Sequence, residues 1–143
     1  PQKLPRQFLL RAPATPPSIP DTLFDSGVEN APDEFLHNGL SRMTLRKLRR
    51  GHWPVQDSLD LHGMNRHQAA LQVAEFLRLV SQHGKRCVRI VHGKGLGSKN
   101  REPVLKSKLR HWLEPRDEVL AYCQAPPHEG GSGALLVLLK ARR

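Results

Sequence analysis

Two short segments with the same ending constrain this chain most. Leu59-Asp60-Leu61-His62-Gly63 and Ile90-Val91-His92-Gly93-Lys94-Gly95 each close a strand-like run with His-Gly, and the two pairs stand 30 residues apart. That is the length of one strand–helix–strand unit. The intervening residues read as the helix. Asn65 offers an N-cap with Gln68 three residues on, the spacing of a capping box. Ala69, Val73, Phe76, Leu77 and Val80 recur at helical spacing to about residue 83, where Gly84 closes the run. Strands joined by such a crossover lie parallel, so both His-Gly pairs are expected at one edge of a sheet, the edge where open α/β sheets bind ligands.

The pattern continues. Pro103 suits the first turn of a second helix, whose buried face is Val104, Leu105, Leu109, Trp112 and Leu113, and Pro115 ends it. Val119–Ala125 reads as a third strand, residues 126–133 as a loop, and Ala134–Leu139 as a strongly apolar fourth strand. The class is α/β, α+β-like in detail: βαβαββ, with a four-stranded mixed sheet and helices on one or both faces. Residues 57–143 form the globular part. Seven of the twelve prolines fall at positions 1, 5, 13, 16, 17, 20 and 32, so residues 1–37 read as a disordered or extended arm, dispensable for folding. Residues 38–56 hold a short basic helix, SRMTLRKLRR, and a linker.

No apolar run approaches the roughly 20 residues of a membrane span, and no secretory leader is visible. Cys87 and Cys123 form no CxxC, which excludes a disulfide scaffold and a structural zinc site of the usual spacing. A cytoplasmic monomer with no membrane partner is expected. The net charge is +10. Residues 85–110 concentrate it, with nine cations against one acid, Glu102. A polyanion is the natural partner, and Lys99, Arg101 and Lys106 are candidate phosphate contacts. Aromatic residues are too few for a base-stacking platform, so backbone or shape recognition is expected.

Asp60 and His62, two residues apart, share a face, which suits a carboxylate orienting an imidazole. Such a histidine at a strand end is more often structural. Gly93, Lys94, Gly95, Gly97 and Ser98 fit neither the Walker nor the dinucleotide spacing, but glycines let backbone N–H groups approach an anion closely. The loop with His128, Gly130, Gly131 and Gly133 should reach the same edge, as a simple turn or as a second close-approach loop.

In order and spacing, LDLHG at 59–63, HGKG at 92–95 and GGSGA at 130–134 resemble the Smr domain, over about residues 57–140. The approach LRKLRRG at 45–51 resembles that of stand-alone bacterial Smr proteins, as distinct from Smr domains fused to MutS2 ATPases. The resemblance implies a fold similar to the C-terminal domain of translation initiation factor 3. It also implies nucleic-acid binding and endonuclease activity on DNA, by nicking, or on RNA, including at ribosomes. It carries Asp60 and His62 over as the active-site pair, His92, Gly93, Lys94 and Gly95 as the second loop, and Gly130, Gly131 and Gly133 as the third. In this reading His62 and His92 are the acid/base candidates and Lys94 stabilises charge on the phosphate. No cofactor is required on RNA, whereas a DNA substrate makes a divalent metal more plausible. The rival reading is a non-catalytic nucleic-acid or ribosome-binding module.

Overall fold

The run Ala134–Leu139 is apolar at every position because both of its faces are covered: it is the middle strand of the sheet, and all six residues are buried. The computed structural model describes residues 33–93 and 104–141. In chain order the elements are β1 (Glu34–Leu36), α1 (Arg42–Arg50), β2 (Asp57–Asp60), α2 (Arg66–Gln82), β3 (Cys87–Val91), α3 (Val104–Leu113), β4 (Val119–Gln124) and β5 (Ala134–Leu139). Two 3₁₀ turns, Pro127–Glu129 and Gly131–Gly133, connect β4 to β5.

The sheet order is β1-β4-β5-β3-β2. β2 and β3 are parallel, and β5 is antiparallel to both β3 and β4. Thus β2, β3 and β4 run the same way and end at the same edge, which brings three loops together there. Among the described residues the sheet has five strands, not the four read from the sequence. The addition is β1, which pairs antiparallel with β4 inside the stretch assigned to the arm. Three residues just after Pro32 carry no readable periodicity, and their partners lie some 85 residues downstream.

Alternation divides the apolar residues between two cores. Leu61, Val88, Ile90, Val119, Tyr122, Leu135, Val137 and Leu139 face α2 and α3. Cys87, Ala121, Cys123, Ala134, Leu136 and Leu138 face α1, which contributes Leu45 and Leu48. The helices have the expected ends. Ser41 Oγ accepts the Met43 N–H at the start of α1, and the Asn65–Gln68 capping box is complete on α2. α1 is therefore a packed element of the domain, with Leu48 fully buried. No helix among the described residues is long and apolar enough to cross a membrane.

Candidate functional site

Asp60 ends β2 opposite Val91, which packs against the core under α1. Leu59 and Leu61 turn to the other core, so Asp60 stands on the α1 side of the sheet, at the carboxyl edge. Its Oδ1 accepts two hydrogen bonds, from the His62 backbone N–H at 3.0 Å and from His62 Nδ1 at 2.8 Å. The His62 ring bond, then the backbone bond, holds the Asp60 carboxyl below its usual range. Both side chains are more than half exposed. The carboxylate can only accept, so Nδ1 carries the proton and Nε2 is the ring nitrogen left for a ligand.

The second loop is fitted against this pair. Gly93 has φ +90°, and a Cβ built there would stand 3.3 Å from His62 Cβ. Both positive φ and close approach therefore require glycine. The third loop holds the second: the Gly133 carbonyl accepts the N–H groups of His92 and Gly93 at 2.9 and 3.0 Å. Gly130, at φ +115°, would put a Cβ 2.8 Å from Ala134 Cβ. The N–H groups of Gly130, Gly131 and Gly133 bond to Pro127, Pro126 and Gly130 carbonyls within the turn. These glycines serve close packing, since their donors, like that of Gly93, are already committed.

His92 lies elsewhere. It is 5% exposed, its Nδ1 donates to the Gly93 carbonyl at 2.7 Å, and Nε2 is buried without a hydrogen-bond partner among the described residues. Burial pushes its pKa down, and the charges it feels are Lys106 and Asp33, on the α3 side. The three loops converge as the topology predicts; His62 is exposed there and His92 is buried. Lys106 is ion-paired to Asp33 at 3.0 Å, beside Arg110. Lys94, Gly95, Lys99 and Arg101 lie outside the described residues. His128 is exposed on the first 3₁₀ turn.

Sequence reasoning missed Arg89. On the face shared with Asp60, its Nε donates to Ser58 Oγ at 3.1 Å and its Nη1 to Glu129 Oε1 at 2.8 Å. Its place two residues before Val91 was readable, but its partners Ser58 and Glu129 come from strand pairing and the third loop. Among the described residues no three His, Cys, Asp or Glu side chains gather as a metal site. Cys87 and Cys123 are buried, which pushes their thiols up to about 12 and about 11 and leaves them unreactive.

Residues 59–140 match the family model described as Smr domain. The "Probable DNA endonuclease SmrA" of Escherichia coli (strain K12) is 40% identical over 109 residues, 76% of this chain and 58% of that protein. The "Ribosome rescue factor SmrB" of Aeromonas hydrophila is 36% identical over 110 residues, 77% of this chain and 60% of that protein. The chain thus spans about three fifths of the length of these curated relatives. Among solved structures, YdaL, a stand-alone small MutS-related protein from Escherichia coli, superimposes with TM-score 0.67 at 40% identity, covering 78% of this chain and 84% of that one. The Smr domain of Thermus thermophilus MutS2 gives TM-score 0.52 at 32% identity, covering 59% of this chain and 99% of that one.

Proposed function

Because this chain belongs to the Smr domain family, we propose that it is an endonuclease that binds nucleic acid and cleaves its phosphodiester bonds, by nicking DNA or cutting RNA. The observation that carries the reading is the Asp60–His62 pair: an ionised carboxylate fixing Nδ1–H of an exposed imidazole, with Nε2 left for substrate, at the edge where three strands end. His62 then acts through Nε2 as general base in its neutral form and general acid once protonated. On RNA, Nε2 takes the 2′-hydroxyl proton, the 2′-oxygen attacks phosphorus, and the P–O5′ bond breaks as the 5′-oxygen takes that proton back from Nε2, leaving a 2′,3′-cyclic phosphate. That path needs no resident cofactor. On DNA the nucleophile is water and a divalent ion becomes useful. Asp60 Oδ1 is engaged by His62 and Glu129 Oε1 by Arg89, so each of these carboxylates offers its second oxygen to an ion. Lys94 remains the proposed stabiliser of charge on the phosphate, and His92 contributes by setting the loop against His62. The similarity to a probable DNA endonuclease supports cleavage, and the similarity to ribosome rescue factors supports an RNA or ribosomal target.

A second reading has its own observation. The bond from His62 N–H to Asp60 Oδ1 closes the turn after β2, as a purely structural pair would. In that case the chain is a non-catalytic nucleic-acid or ribosome-binding module. Labelled RNA and DNA strands of one sequence, incubated with and without EDTA, separate the two readings. Asp60→Ala, His62→Ala and the double variant should each lose cleavage by at least about 10²-fold. The double should be no worse than the singles, because effects within a catalytic unit are not additive. Wild-type-level cleavage by a folded double variant overturns the assignment, and binding by wild type without any cleavage establishes the module.

A further inference from the structure

The face that carries Asp60 and His62 continues to the opposite edge of the sheet. There α1, the residues leading into β2 and the start of β3 enclose a groove of about 400 Å³. Its floor is apolar, with Met43, Trp53, Leu120 and Leu138, and its cations are Lys47 and Arg86. None of the lining residues is acidic. Arg86 is held in place: its Nε donates to the Leu139 carbonyl at 2.8 Å, and its guanidinium carbon lies 5.9 Å from the Trp53 ring centroid. Lys47 is exposed on α1. An indole and a planar guanidinium beside a second cation suit a flat, anionic occupant.

The groove is in line with the proposed cutting site. Arg86 immediately precedes β3, and Val91, at the far end of β3, is the partner of Asp60. Five residues of strand separate them, roughly 17 Å. Arg89 stands between, on the same face, anchored by Ser58 and Glu129. A stacked strand, at about 3.4 Å per phosphate, covers that distance in roughly five nucleotides.

We propose that this groove is a second nucleic-acid subsite. It takes one unpaired base against Trp53, with the adjoining phosphates between Lys47 and Arg86, about five nucleotides from the bond presented to Asp60 and His62. The proposal rests on the nucleic-acid reading above and gives it a direction: substrate runs from the carboxyl edge of β2 toward the start of β3. It also selects single-stranded over paired substrate, because a paired base cannot leave its stack to enter the groove without cost.

The test uses the full chain with Trp112→Phe, so that Trp53 is the only tryptophan reporting. The probes are uridine-rich strands of about 12 and about 4 nucleotides, the longer as RNA, as DNA and as a duplex, with polyglutamate as a control polyanion. The longer strand should quench Trp53 and bind about tenfold tighter than the shorter. Lys47→Glu should remove most of that advantage, weakening the longer strand several-fold more than the shorter. The subsite is overturned by no quenching, by equal losses for both lengths, or by polyglutamate binding as tightly as the longer strand. Preferential use of RNA or DNA identifies the source of the base, and equal quenching by the duplex overturns the unpaired base. Cleavage of the same strands is read separately. Quenching without cleavage sinks the endonuclease and keeps the subsite, while cleavage without quenching does the reverse.

Discussion

His62 and His92 each precede a glycine at the end of a parallel strand, and their surroundings are opposite. His62 is exposed and held by a carboxylate, whereas His92 is buried and donates to a backbone carbonyl. The sequence showed the pair Asp60–His62 by its spacing, although the strand ends at Asp60 and the pair is joined across the turn that follows. It could not show that His92 is buried, since burial depends on tertiary packing. The difference is measurable. Burial lowers the His92 pKa from the ordinary 6.5, so the folded state binds a proton less readily than the unfolded chain. Its contribution to stability is therefore complete above pH 6.5 and is lost as pH falls from there through the lower folded value. Thermal midpoints measured between about pH 7.5 and about pH 5.5 should fall on the acid side, and His92→Asn should flatten that fall. An unchanged acid limb in the variant would assign the loss to another group. Gly93→Ala faces both φ +90° and the His62 side chain. It should cost about 1–3 kcal/mol of stability and lower cleavage through displaced His62, read by denaturant titration beside the activity assay.

Every α-helix and strand described between residues 57 and 140 is readable as an element, because each has its own periodicity and punctuation. Ala134–Leu139 even appears with its observed limits. What local pattern does not contain is pairing. The antiparallel turn of β5 between β3 and β4, the placement of α1 opposite α2 and α3, and the strand β1 all depend on distant partners. β1 changes one expectation outright. Phe35 stacks on Tyr122 at 5.5 Å, Asp33 bridges Lys106 and Arg110, and Glu34 bridges Arg42 and Arg49. The last residues of the supposed arm are thus part of the sheet. A chain lacking residues 1–37 should lose about 2 kcal/mol, lowering its thermal midpoint by about 10 °C, and should aggregate more readily through the bared edge of β4. A chain lacking only residues 1–31 keeps every one of these contacts and should melt near the full-length midpoint. Equal midpoints for the two shortened chains would show that β1 adds nothing.

At the scale of the molecule, the +10 charge predicts a polyanion, and the fold decides which cations are free to meet it. The cation-dense stretch 85–110 was the obvious footprint. Its described part includes Lys106 and Arg110, already paired to Asp33 on the α3 side, and Arg89, paired to Glu129. By contrast, Arg46, Lys47 and Arg50 are exposed on α1, and α1 covers the same face of the sheet that carries Asp60. A nucleic-acid strand reaching His62 on that face therefore meets the α1 cations and not those of α3. Phosphate contacts release counterions, and for single strands log K falls against log salt with a slope of about −0.7 per contact. Replacing Arg46, Lys47 and Arg50 by Ala should flatten that slope by about two units, while Lys106→Ala with Arg110→Ala should leave it nearly unchanged. Leu45 and Leu48, which hold α1 to the sheet, are untouched in the first variant, so its fold should persist and circular dichroism should match wild type. Fluorescence anisotropy with a labelled single strand, titrated from about 50 mM to about 200 mM salt, gives both slopes. A flattened slope in the Lys106/Arg110 variant with none in the α1 variant would place the binding face over α2 and α3, away from Asp60 and His62.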